Sequence, residues 1–143
     1  MQGINFIAGM VLLNIPHEET AFVVFTKILE KDNWRRLYID ETPKLYELVY
    51  KVKLFICTKL SDLDKHFFKK SIALEALLAS PFFTLFSNLI DLASATRVIE
   101  RFMLLGEAYI VDLVCNLFRQ FRKDMLLMDN WDLQVFIGRT MYQ

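Results

Sequence analysis

From Pro43 to Ile56 a set of apolar residues, Leu45, Leu48, Val49, Val52, Phe55 and Ile56, recurs at helical three- and four-residue spacing. That spacing puts them on one side of an α-helix. The same interval recurs elsewhere: Ala21, Phe22, Phe25, Ile28 and Leu29; then Ala95, Val98, Ile99, Phe102 and Leu105; then Val111, Val114, Cys115, Phe118, Phe121 and Met125. No stretch sustains the apolar–polar alternation of a strand. The pattern predicts an all-α fold, an irregular array of about seven to eight helices. One domain is expected over residues 1–143, since that length suits a single core.

Local signals set the expected boundaries. Residues 3–14 read as a buried helix. Pro16, with Glu18 and Glu19 in the following turn, opens a second one, because acids suit the positive end of the helix dipole. KDNWRRLYIDETP (31–43) reads as a polar loop. SDLD at 61–64 resembles a capping box and should start a short helix through Phe67 and Phe68. Ser80-Pro81 reads as another start, a capping hydroxyl before a first-turn proline. Asp91 and Ser94 flank the next start and Gly106 ends that helix. Asp129 should cap a last helix whose apolar residues are Trp131, Val135 and Phe136.

The sequence is 55% hydrophobic with 13 Phe, above the ~45–50% usual for soluble domains. Either the core is large or one face awaits a partner. The NWRRLY and FRQFRKD stretches mix bases with aromatics, as some nucleic-acid surfaces do, but Glu and Asp are interspersed and a net charge of zero gives no whole-chain field toward nucleic acid. No nucleic-acid partner is expected. Cys57 and Cys115 lie in apolar helical patterns and read as core thiols in a reducing cytoplasm. His17 and His66 are isolated and read as surface or cap residues, so no metal is expected. There is no P-loop, dinucleotide fingerprint, CxxC or HExxH, and Ser61, Ser71 and Ser80 have no nearby His to activate them. No cofactor is expected.

The opening MQGINFIAGMVLLNIP is apolar yet carries no basic residue before Lys27, as a secretory signal would require. The apolar run Ala76–Ile90 is too short for a membrane span and contains Pro81, Ser87 and Asn88. No transmembrane segment is expected, and any membrane association is peripheral.

QGINFIAG at 2–9 resembles the YxQGMNFIAG segment of TBC domains, which activate GTP hydrolysis by Rab GTPases. HEETAFVVFTKILEK (17–31) is similar to the helix that follows in that family. PFFTLFSNLIDLASATRVIERFMLLGEAYIVDLVCNLF (81–118) is similar to its later segment, and the resemblance runs from Gln2 to about Leu127. It implies a C-terminal half of a TBC domain, beginning inside the Tyr-x-Gln motif. It also implies a Rab-type small GTPase as partner, or a protein supplying the other half. The implied setting is vesicle trafficking, in the cytoplasm and at the surface of endomembranes. Such a chain activates a partner's hydrolysis rather than being an enzyme in its own right.

In this family an arginine and the glutamine of Tyr-x-Gln are inserted in trans. Gln2 matches the glutamine, and Gly3 and Asn5 match the next motif positions as GTPase-binding candidates. Gly3 and Asn5 read equally as packing and backbone-satisfying residues, and Gln2 as a loose polar residue near a chain end. The family's arginine lies in an IxxDxxR motif that nothing here matches; Arg35 and Arg36 sit outside any such motif. Pro81 replaces a usual Trp, and Ile99-Glu100 replaces the Trp-Asp of RIWD while Arg97 remains. Arg97 and Glu100 are spaced for an i,i+3 pair, either buried or exposed. Two functions stay open: part of a Rab GTPase-activating protein, and a non-catalytic helical scaffold derived from one.

Overall fold

A computed structural model describes residues 3–143. Among them are nine α-helices and no strand: α1 (Ile4–Asn14), α2 (Glu18–Glu30), α3 (Pro43–Lys59), α4 (Ser61–Lys69), α5 (Leu74–Thr84), α6 (Leu92–Leu105), α7 (Glu107–Gln120), α8 (Arg122–Leu126) and α9 (Asn130–Gly138). The all-α expectation holds, and the five-residue α8 accounts for the extra helix. α3 sits at the centre, packed on α4, α5 and α7, while α1 lies across α2, α5 and α6.

The long helices form where the spacing placed them. α3 buries Leu45, Leu48, Val49, Val52 and Ile56, and Pro43 occupies its first turn, where the missing N–H costs nothing. Asp91 caps α6: its Oδ1 accepts from Ser94 N at 2.9 Å, and its Oδ2 accepts from Ser94 Oγ at 2.6 Å. The Ser94 bonds hold the Asp91 carboxyl below the usual range. Asp129 Oδ1 caps α9 by accepting from Asp132 N at 2.9 Å. His17 caps α2, its Nδ1 accepting from Thr20 N at 3.4 Å.

Several expectations are corrected. Pro81 starts no helix but lies inside α5, because Leu74, Leu78, Pro81 and Phe82 form one buried stripe that runs through it. Ser80 Oγ caps nothing and instead accepts from Asn88 Nδ2 at 2.9 Å. SDLD is not a capping box: Leu60 is the cap residue, and Asp62 is held by Arg122 Nε at 2.9 Å. That contact, chiefly its hydrogen bond, lowers the Asp62 carboxyl pKa. α1 is only half covered, with Phe6, Leu12 and Leu13 exposed. Phe22, Phe68 and Leu105 likewise point outward from faces read as apolar. In α9 the buried residues are Leu133 and Ile137, whereas Trp131 is 72% exposed.

Cys115 is buried, and burial, with Asp112 nearby, pushes its thiol up to about 11. Cys57 is exposed, contrary to expectation, because α3 turns it to the outer edge of the helix.

The largest correction is the stretch read as a polar loop. Lys31–Leu37 forms 3-10 turns, with Asp32 and Asn33 at φ of 48° and 59°. This reversal inserts Trp34, Leu37 and Tyr38 into the core. The Trp34 ring packs on Phe102 of α6 with centroids 4.8 Å apart.

Candidate functional site

Gln2 lies outside the described residues; Gly3 and Asn5 are the motif positions that can be placed. Gly3 precedes α1 with φ of 100°, a conformation that favours glycine. A Cβ there would stand 2.7 Å from both the Cβ and the carbonyl oxygen of Phe83. The start of α1 therefore lies directly on the backbone of α5. The same Phe83 carbonyl accepts from the Tyr38 hydroxyl at 2.7 Å. Burial pushes the Tyr38 phenol far above its ordinary range, so it stays protonated and donates.

The two approaches predict opposite signs for two glycine substitutions. Gly3→Ala should cost about 2–4 kcal/mol, combining left-handed strain with overpacking. Gly9→Ala, in the middle of α1 with nothing within 4 Å of its new Cβ, should stabilise by about 0.4–1 kcal/mol. Urea denaturation of both variants checks the pair.

Asn5 is exposed at the lip of a cleft of about 560 Å³ between α1 and α5. Phe6, Ala76, Ala79 and Ser80 line it, together with Thr84 and Asn88. Gly3 and Asn5 are thus brought to one cleft, Gly3 by close packing and Asn5 with its side chain outward. None of the lining residues is charged. Among the described residues the cleft suits uncharged polar and apolar groups. Among the described residues no group of three His, Cys, Asp or Glu side chains is placed to hold a metal ion.

The arginines are elsewhere. Arg35 is exposed, and Arg36 Nη1 donates to Glu47 Oε1 at 2.7 Å. Arg97 and Glu100 are both exposed, and among the described residues they form no ion pair within 4.0 Å.

The structure also holds a charged staple that the sequence does not announce. Asp32 Oδ2 accepts from Glu107 N at 2.7 Å, closing the N-terminus of α7 across 75 positions. Gly106 makes room for this at φ of 80°, since any Cβ would overlap that oxygen. Lys44, only 4% exposed, donates to the Asp32 carbonyl at 2.9 Å and pairs with Glu107. Lys51 Nζ donates to Glu107 Oε1 at 2.8 Å. Burial works to raise the Glu107 pKa, but Lys44 and Lys51 outweigh it and hold the carboxyl below its ordinary range. The staple ties the 3-10 segment to α3 and α7, and Tyr38 carries that anchorage to Phe83 beneath Gly3. Lys44 alone carried no signal, since a lysine in a helix's first turn reads as solvated.

Among the described residues, no helix is long and apolar enough to cross a membrane. The family model described as the Rab-GTPase-TBC domain matches residues 1–126. The chain is 29% identical over 128 residues to the Rab GTPase-activating protein eat-17 of Caenorhabditis elegans, covering 90% of this chain and 14% of that protein. It is 33% identical over 102 residues to the human Ecotropic viral integration site 5 protein homolog, covering 71% and 12% respectively. It is 27% identical over 139 residues to TBC1 domain family member 14 of Bos taurus, covering 97% and 20%. The chain therefore spans one fifth or less of the length of these relatives.

Proposed function

Because this chain belongs to the Rab-GTPase-TBC domain family, we propose that it binds a Rab-type small GTPase and promotes its GTP hydrolysis as the C-terminal portion of a TBC domain. The match over residues 1–126 carries the reading. GTP hydrolysis needs a positioned water and compensation of the charge that builds on the transferring phosphoryl group. In this reading Gln2 orients the water, and an arginine outside these 143 residues meets the charge. An arginine of that kind is worth about 10³–10⁵ in rate, so the chain needs the polypeptide that bears it. Gly3, seated on the Phe83 backbone, is the described motif position that adjoins Gln2 in sequence. The setting is vesicle trafficking, in the cytoplasm and at endomembrane surfaces.

The test is GTP turnover by a panel of Rab-type GTPases, with the chain alone and with a TBC segment bearing IxxDxxR. Acceleration of at least one member in the combined mixture is expected; none in any mixture overturns the reading.

A second reading is favoured by one observation. Phe6, Leu12 and Leu13 of α1 and Phe22 and Val23 of α2 are exposed, and α1 carries no charged residue. Exposed large apolar side chains on two helices that pack together are the surface expected of an interface. In this reading the chain is a non-catalytic helical scaffold that docks through α1 and α2. Binding of GTPase without acceleration, in every mixture, would favour it.

A further inference from the structure

The outer side of α3 is apolar where a solvated helix would be polar. Tyr46, Tyr50, Leu54 and Cys57 recur along it at helical spacing, and all four are exposed. Beside them, between α3 and α4, runs an open groove of about 430 Å³ whose walls include Leu54, Phe67 and Ile72. Phe68 stands on it with 89% of its surface uncovered, the most exposed aromatic among the described residues. The charge around that ring is mostly of one sign. Lys65 lies one turn before Phe68 on α4, and Lys69 and Lys70 follow it directly. Among the described residues none of the three has an ion-pair partner within 4.0 Å. Of the acids on α3, on α4 and in the first turn of α5, Glu47 pairs with Arg36, Asp62 with Arg122 and Glu75 with Lys53, which leaves Asp64.

We infer that this face is a membrane-surface site: Phe68, Tyr50 and Leu54 enter the interfacial layer of a bilayer while Lys65, Lys69 and Lys70 meet anionic lipid headgroups. The sign of the charge selects that occupant. Three unmatched ammonium groups against one carboxylate suit a surface of negative potential. A second copy of this chain would set the same excess of lysine against itself. Each lysine stem can lie along apolar material while its head stays in the polar layer. Tyrosine suits that depth, since its ring is apolar and its hydroxyl stays wet. Among the described residues no helix can cross a bilayer, so the contact is with the surface of one leaflet. The groove residues are distinct from those around Gly3 and Asn5, and lipid contact here does not depend on GTPase engagement.

The test is co-sedimentation of the 143-residue chain with vesicles of pure phosphatidylcholine and of the same lipid with about 30% phosphatidylserine. The native chain should bind the anionic vesicles, and about 0.5 M salt should weaken that binding about tenfold. Phe68→Ala and the double variant Lys65→Gln/Lys69→Gln should each weaken it about tenfold. These side chains are exposed, so both variants should keep the native thermal midpoint. Leu104→Ala removes a comparably exposed apolar side chain from α6 and should leave binding unchanged. A polarity-sensitive fluorophore on Cys57, the exposed thiol in the groove, should shift to the blue with anionic vesicles. No binding, equal binding to both kinds of vesicle, or an equal loss in Leu104→Ala overturns the site. A dimer that Phe68→Ala dissolves, without vesicle binding, gives the face to a second copy and overturns it as well.

Discussion

Trp34→Ala should be among the most destabilising single changes in this chain, at about 3–5 kcal/mol and a fall in thermal midpoint of roughly 10 °C or more. The indole is fully buried and packs on Phe102 of α6. It sits on the 3-10 segment whose neighbour Tyr38 supports Phe83, so its removal leaves a large cavity between α2, α3 and α6. Trp131→Ala removes the same side chain from a 72% exposed position in α9 and should change stability by no more than about 0.5 kcal/mol. Calorimetry on the two variants separates them by an effect much larger than its error.

The contrast shows what periodicity can and cannot read. Trp131 belongs to a spaced apolar set and looks like core, but α9 buries Leu133 and Ile137, which lie on nearly the opposite side of the helix, and packs on α5. Trp34 sits among Lys, Asp, Asn and Arg and looks like loop. Its burial depends on two consecutive left-handed residues, Asp32 and Asn33, and no spacing rule reports such a reversal. α3, α6 and α7 were legible because each buries a stripe along its whole length. Pro81 misled because a start signal and a buried helix interior can share the same dipeptide.

Glu107→Ala is the second large effect, expected at about 3 kcal/mol, since it leaves the buried Lys44 ammonium with only the half-exposed Glu47 carboxylate, 3.6 Å away. The Glu107 carboxyl has a folded pKa below its ordinary value of 4.5. A carboxyl depressed on folding contributes stability above its unfolded pKa and loses it as pH falls through the folded value. Native stability should thus hold from neutral pH down to about 4.5 and decline below that. Asp62, Glu75 and Asp91, which are depressed as well, act in the same direction. Denaturant midpoints across pH 3–7 should show a shallower acid limb in Glu107→Ala than in the native chain. An equally steep limb would remove Glu107 from the account.

The candidate site was half legible. Gly3 and Asn5 follow from the motif, and the structure brings both to one cleft. The staple of Asp32, Lys44 and Glu107 was not foreseen. Its partners are remote in sequence and depend on a left-handed turn, so neither composition nor spacing marks them.

The most direct test of the central claim is single-turnover GTP hydrolysis by a responsive Rab-type GTPase, with this chain and an arginine-bearing TBC segment at saturating concentration. Native chain is compared with Gln2→Ala. On the proposed role of Gln2, its removal should slow hydrolysis about 10²–10³-fold while leaving GTPase binding unchanged. Equal rates for the two chains would contradict the account.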